Sequence, residues 1–315
     1  MSWLQMGTAF RQRYVLMGPI GQGGVSIVYH AVDTVRRQPM AIKMLAPTHA
    51  GDTVARERVR REALITNMLR HPSVPKVYDF GDAPLPNGSM VPYVVMELLT
   101  GVMLAARVAG GPLPWQEAVR IAATIGDVLA VAHRRGVVHR DVSAENIMIT
   151  TTGVKLIDFG LAVTTKPLTG RLTAAPSRRV TSGRLRRPLS QAHSAPAQPA
   201  PAHPQGGASA GDPADDVYAL GVLLYQMLTG VSPGPAGPMR GPGGRPGPAF
   251  AAGRLHYAAP TPVLSVPGMP REIADITRAC MAKRPGERPE SSAVALSLWS
   301  ILLAPRPRHA RPDPL

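Results

Sequence analysis

An α+β fold is predicted by three features of the 315-residue sequence. Short strand-like runs crowd residues 12–100, helical patterns take over from Trp115 onward, and 44% hydrophobic residues suffice for one large core or two. In the first part, Tyr14 to Met17, Ile27 to Val32, Met40 to Leu45, Val74 to Phe80 and Tyr93 to Leu98 are separated by Gly, Pro and Asn breaks, the pattern of an antiparallel sheet. Arg56 to Leu69 interrupts them. It sets Val59, Ala63, Ile65, Met68 and Leu69 among charges with no Gly or Pro, so it is predicted helical. A second helix is expected from Trp115 to His133, with Ala118, Ile121, Ala122, Ile125, Leu129 and Ala132 on one face. Val217 to Thr229, Pro270 to Met281 and Ser291 to Leu303 also suit helices. Two segments suit neither. Thr164 to Ala214 is rich in Arg, Ala, Pro and Ser, and Ser232 to Pro248 holds 12 Pro or Gly in 17 residues.

Composition narrows the function. A single cysteine, Cys280, excludes an intrachain disulfide and a cysteine-rich zinc site, so a reducing, cytoplasmic setting is expected. The longest apolar stretches, Val217 to Val231 and Leu296 to Ala304, fall short of the roughly 20 residues of a bilayer span, and Met1 to Phe10 has no signal-peptide pattern. The net charge of +15 invites a nucleic-acid reading. However, seven of the basic residues lie between Phe159 and Gly211 with no acid among them, and aromatic residues are only 4%. No stacking platform or base-reading motif is visible, which disfavours nucleic acid as a partner.

The motifs that carry chemistry come in a fixed order. Ile20 opens I-G-Q-G-G-V-S-I-V-Y, where Gly21, Gly23 and Gly24 let backbone N–H groups approach phosphates without Cβ obstruction. Alone, this is more often a plain tight hairpin. Lys43 ends the strand Met40-Ala41-Ile42-Lys43 and can hold phosphates as a point charge, and Glu62 on the following helix offers a carboxylate to position it. Asp141 and Asn146 then stand five apart in V-H-R-D-V-S-A-E-N, and Asp158 precedes Phe159-Gly160 at a strand end. An aspartate that takes a hydroxyl proton, with two hard oxygen ligands for Mg²⁺, is the set that phosphoryl transfer requires.

With these motifs the chain resembles the bacterial eukaryotic-like (Hanks-type) serine/threonine protein kinases, from about Tyr14 to Leu303. The resemblance implies a bilobal protein-kinase fold. Its N-lobe would be a small antiparallel sheet plus one helix, and its C-lobe larger and mainly helical. Residues 1–11 would be a lead-in, 12–100 the N-lobe and hinge, 101–304 the C-lobe, and 305–315 a basic Pro-rich tail. Insertions expected to lack order would interrupt the C-lobe at about 164–214 and 232–256.

The resemblance also implies ATP as substrate with Mg²⁺ as cofactor, Mn²⁺ as its substitute, a protein partner with Ser or Thr acceptors, and autophosphorylation. Lys43, Glu62, Asp141, Asn146 and Asp158 would be catalytic, with Asn146 and Asp158 the metal ligands. Ile20, Gly21, Gly23, Gly24, Val28, Ala41, Lys43, Met148 and backbone groups of Glu97 and Leu99 would bind the nucleotide, with Met96 as gatekeeper. Asp216 would hold the catalytic loop and Arg288 would be the structural arginine. Thr164, Thr165, Thr169, Thr173, Ser177, Thr181, Ser182 and Ser190 would be candidate phosphoacceptors.

Three departures bear on this expectation. Ser143 stands where such kinases place a lysine, and losing a cation beside the transferred phosphate is expected to cost ~3 kcal/mol of barrier, about 10² in rate. No glutamate lies between Phe159 and Val217, so the usual partner of Arg288 is missing. The region after the Val217 helix is replaced by the proline-glycine segment, which leaves substrate docking without a recognisable sequence.

Overall fold

The computed structural model describes residues 7, 9–85, 88–165, 211–233 and 263–304. Most of both predicted insertions, the 305–315 tail and the acceptors from Thr169 to Ser190 lie outside the described residues.

The upper lobe is a six-stranded antiparallel sheet of order β1-β2-β3-β4-β6-β5. Its strands are β1 (Ala9–Phe10), β2 (Tyr14–Gln22), β3 (Ser26–Asp33), β4 (Gln38–Leu45), β5 (Val77–Pro84) and β6 (Met90–Glu97). Alternation decides which faces are buried: on β3, Tyr29 and Ala31 point into a cluster with Tyr14, Leu16, Met40, Ile42, Tyr93 and Val95. The other face receives α1 (Thr53–Met68), whose Ala55, Val59 and Ala63 pack on Leu45, Val91 and Val94. α1 starts where it does because Asp52 caps it, its Oδ1 accepting from Val54 N and Ala55 N at 2.9 and 3.0 Å.

The sheet has one strand more than the sequence predicts. β1 lies within residues 1–11 and returns on β2 through Arg11 and Gln12, both at positive φ. Phe10 is buried against the Tyr93 ring, centroids 5.1 Å apart. Two residues carry no readable periodicity, so the pairing depends on this tertiary contact.

The lower lobe is built on α3 (Trp115–Arg134), whose buried face meets α4 (Pro213–Thr229) and α6 (Ser291–Leu303), with α5 (Arg271–Cys280) against α4. A short α2 (Leu104–Ala109) precedes them. Two small sheets lie at the lobe boundary, β7 (Gly101–Met103) with β9 (Ile147–Thr150) and β10 (Gly153–Leu156), and β8 (Val137–Val138) with β11 (Val163–Thr164). α4 begins four residues before the predicted Val217, inside the stretch expected to be irregular. Asp212 caps it by accepting from Ala214 N at 2.9 Å, and Pro213 sits in its first turn, where a missing N–H costs nothing.

Arg288 keeps an anchor despite the missing glutamate. Its guanidinium donates to the carbonyls of Ala214 at 2.8 Å and Ala282 at 2.9 Å, reaches Asp215 Oδ1 at 3.4 Å, and stacks on Tyr218. The start of α4 thus supplies a partner for the structural arginine.

α4 and α5 approach closely at Gly221, where an added Cβ would stand 2.7 Å from Cys280 Cβ and 2.9 Å from Met281 Cγ. Gly221→Ala is therefore expected to destabilise the protein by about 1–3 kcal/mol through overpacking. A urea denaturation midpoint equal to that of the unsubstituted chain would contradict this close contact.

Candidate active site

The predicted site residues from the two lobes converge at the cleft. Lys43, near the end of β4 and registered opposite Val28 and Val94, turns its Nζ to Glu62 Oε1 at 2.5 Å and to Asp158 Oδ1 at 3.7 Å. Glu62 is on the buried side of α1, so the pair is largely shielded from solvent. Burial pulls the Lys43 pKa down, but the charges of Glu62 and Asp158 outweigh it and hold it above its ordinary value. Glu62 is pushed up by burial, with Lys43 opposing. Lys43 is thus a fixed ammonium between two carboxylates, aimed at the cleft.

Below it, Asn146 Nδ2 donates to Asp141 Oδ2 at 2.9 Å and to the Asp141 carbonyl at 2.8 Å. This clasp closes the loop between β8 and β9. It also leaves the Asn146 Oδ1 oxygen as the remaining acceptor of that amide. Burial raises the Asp141 pKa, the Asn146 hydrogen bond lowers it, and the Asp158 charge raises it further, so the two aspartates stand within electrostatic reach of each other. Asp158 Oδ1 accepts from Gly160 N at 2.7 Å. Among the described residues no group of three or more His, Cys, Asp or Glu converges on a metal-sized site. The oxygens of Asn146 and Asp158 would suit a hard cation such as Mg²⁺.

The edge expected to face phosphates is the turn between β2 and β3. Gly23 N donates to Ser26 O at 2.8 Å, and the space beside Gly24 is open. Ile20 is exposed at the rim, Ala41 is buried in β4, and Val28, Leu99 and Met148 are half-buried. The structure limits the expected adenine contacts at Glu97, because its N–H already donates to the Lys76 carbonyl at 2.8 Å. Only its carbonyl is left for that role. Its carboxylate is bound by Lys155 Nζ at 2.8 and 3.0 Å.

The loop between β8 and β9 is held from beneath. Asp216, fully buried at the start of α4, accepts from His139 N and Arg140 N, each at 2.7 Å. It also bonds His133 Nε2 at 2.8 Å, whose Nδ1 meets Ser291 Oγ at 3.0 Å. Arg140 adopts φ 67°, and these bonds hold that uncommon conformation. His139 is completely buried against Phe159, ring centroids 4.7 Å apart, and burial lowers its pKa. Its Nδ1 accepts from Asp141 N at 3.2 Å, which puts the ring proton on Nε2. His133 has no motif spacing to single it out, since its partners lie 83 and 158 residues away.

This cleft, with a lysine-glutamate pair from the sheet lobe facing an aspartate-asparagine clasp in the helical lobe, coincides with a sequence match. Residues 14–299 fit the pattern of the protein kinase domain. The chain belongs to that family. It is 32% identical over 314 residues to the serine/threonine-protein kinase PknA of Mycobacterium tuberculosis, covering 98% of this chain and 66% of that protein. It is 37% identical over 223 residues to a probable serine/threonine-protein kinase PknB of Corynebacterium glutamicum, covering 70% of this chain and 32% of that protein. The chain therefore spans about one third to two thirds of the length of these curated relatives. The crystal structure of the M. tuberculosis PknI kinase domain matches with a TM-score of 0.58 at 22% identity, covering 94% of this chain and 99% of that one, which supports the bilobal kinase fold. Among the described residues, no helix is long and apolar enough to cross a membrane.

Proposed function

We propose that this kinase-family chain is an ATP- and Mg²⁺-dependent serine/threonine protein kinase that transfers the γ-phosphoryl group to protein hydroxyls, with turnover slowed by Ser143. The observation that carries this reading is the intact Lys43–Glu62 pair, 2.5 Å apart, with Asp158 beside it and the Asp141–Asn146 clasp across the cleft. Lys43 holds the α- and β-phosphates, and the glycine turn covers them. Asn146 and Asp158 would hold Mg²⁺, which would supply positive charge beside the phosphates. Asp141 orients the acceptor hydroxyl and takes its proton as the new O–P bond forms and ADP leaves. The serine/threonine kinase names of PknA and PknB support a Ser or Thr acceptor. The single cysteine supports a reducing, cytoplasmic setting. Thr164 and Thr165 are candidate sites of autophosphorylation, and the Thr165 hydroxyl donates to the Gly136 carbonyl at 3.1 Å.

A second reading, a nucleotide-binding pseudokinase serving as scaffold or regulator, is favoured by one observation. Ser143 is half-buried at the head of the short turn Ala144–Asn146, and its hydroxyl brings no positive charge to the transferred phosphate. Incubation with labelled ATP and Mg²⁺ separates the two. The kinase reading expects label on the chain or on a generic basic protein, and about 10²-fold faster labelling by Ser143→Lys. Nucleotide-induced thermal stabilisation without label in the unsubstituted chain supports the scaffold.

A further inference from the structure

Arg58 has no part in the machinery above, yet it reaches that machinery from α1. Its Nε donates to the Gly160 carbonyl at 2.9 Å. The Gly160 N–H in turn donates to Asp158 Oδ1 at 2.7 Å, so one peptide turn links the guanidinium to the carboxylate. Space there is tight. A Cβ at Gly160 would meet Asp158 Oδ1 at 2.8 Å and Arg58 Nε at 3.3 Å.

The position on α1 matters as much as the contact. Arg58 lies one helical turn before Glu62, on the same face, so the groups that hold Lys43 and Gly160 move together. Its charge opposes the raised pKa values of both Lys43 and Glu62. Arg56 and Arg60 are offset around the helix and do a different job. They pair with Asp82 of β5 at 3.5 and 2.8 Å, and Arg56 also donates to the Met90 carbonyl. Helix seating on the sheet is therefore secured without Arg58.

We propose that Arg58 is a positioning residue that ties the Asp158-Phe159-Gly160 turn to α1, so that seating the Lys43–Glu62 pair and aiming the Asp158 carboxylate are a single event. This rests on the reading of Asp158 as a metal ligand. The test compares Arg58→Met and Arg58→Lys in the full chain with the unsubstituted protein. Binding of a fluorescent ATP analogue is followed as Mg²⁺ is titrated. The Mg²⁺ midpoint is expected to rise about three- to tenfold in R58M, the size of one lost hydrogen bond, and to recover largely in R58K, whose ammonium still donates to a carbonyl. Adenosine, which has no phosphate, is expected to bind all three equally. In nucleotide-free R58M, amide exchange across residues 156–162 is expected to accelerate, while exchange in β5 stays unchanged. An unmoved Mg²⁺ midpoint together with unmoved exchange overturns the proposal, and so does an equal loss of adenosine binding. Should R58M fail to fold, Arg58→Gln and R58K are read by the same criteria. If the unsubstituted chain binds adenosine but shows no Mg²⁺ response, the metal-ligand reading fails and the proposal with it. A Mg²⁺ response and an amide exchange that both ignore Arg58 defeat the proposal and leave the metal-ligand reading standing.

Discussion

Asp141→Asn is expected to lower phosphotransfer by about 10²–10⁴-fold while ATP binding changes little. Asparagine has the same shape and offers Asn146 Nδ2 the same kind of acceptor, so the 2.9 Å clasp can persist. It cannot take a proton from the incoming hydroxyl. The reaction also has a predictable acid limb. Burial holds the Asp141 pKa above the ordinary aspartate value, with the Asn146 hydrogen bond opposing, and only the ionised form can act as base. Activity is thus full above this raised pKa and declines as the pH falls through it, at a higher pH than an exposed aspartate would set. Initial rates of both proteins across the pH range, at saturating ATP, check the expectation. An asparagine variant with an undiminished rate would remove Asp141 from the chemistry.

The second large effect is on stability. Asp216→Ala removes a carboxylate that accepts two backbone N–H groups of the loop between β8 and β9 and bonds His133. The His139 N–H is buried, so it finds no water to replace the lost acceptor. Each orphaned group costs about 1–3 kcal/mol, and about 3–5 kcal/mol is expected in all, out of the 5–15 kcal/mol typical of a domain. Asp216→Asn is milder, because one oxygen remains to accept. Chemical denaturation followed by tryptophan fluorescence measures both. A loss below about 1 kcal/mol for the alanine variant would mean that the loop is held by other contacts.

Much of this architecture is legible in the sequence because it is local. Periodicity places α3 to within a residue of its observed end, and Ser291 to Leu303 coincides with α6. The five catalytic candidates are legible because phosphoryl transfer dictates their types, and the fold gathers Lys43 and Glu62 on the sheet side of the cleft and Asp141, Asn146 and Asp158 on the other, with Lys43 reaching Asp158. What escapes is what tertiary contact alone determines. β1 and β8 are two residues each, too short to alternate. His133 looks like any helical histidine until α4 and α6 bring Asp216 and Ser291 to its two nitrogens. Arg58 is one of several arginines on α1, and only the fold shows that it meets Gly160 across 102 residues of chain. The Glu97 side chain is likewise claimed by Lys155, 58 residues on, which no strand pattern announces.

That last ion pair braces the back of the cleft. Lys155 fastens Glu97, the last residue of β6, to the strand that runs on into Asp158. Wholesale parting of the lobes would have to pull a largely buried ammonium off its carboxylate, whereas the rim from Ile20 to Gly24 is solvent-facing and makes no ion pair among the described residues. For the proposed kinase, nucleotide exit is therefore expected past that rim rather than through separation at the Lys155–Glu97 pair.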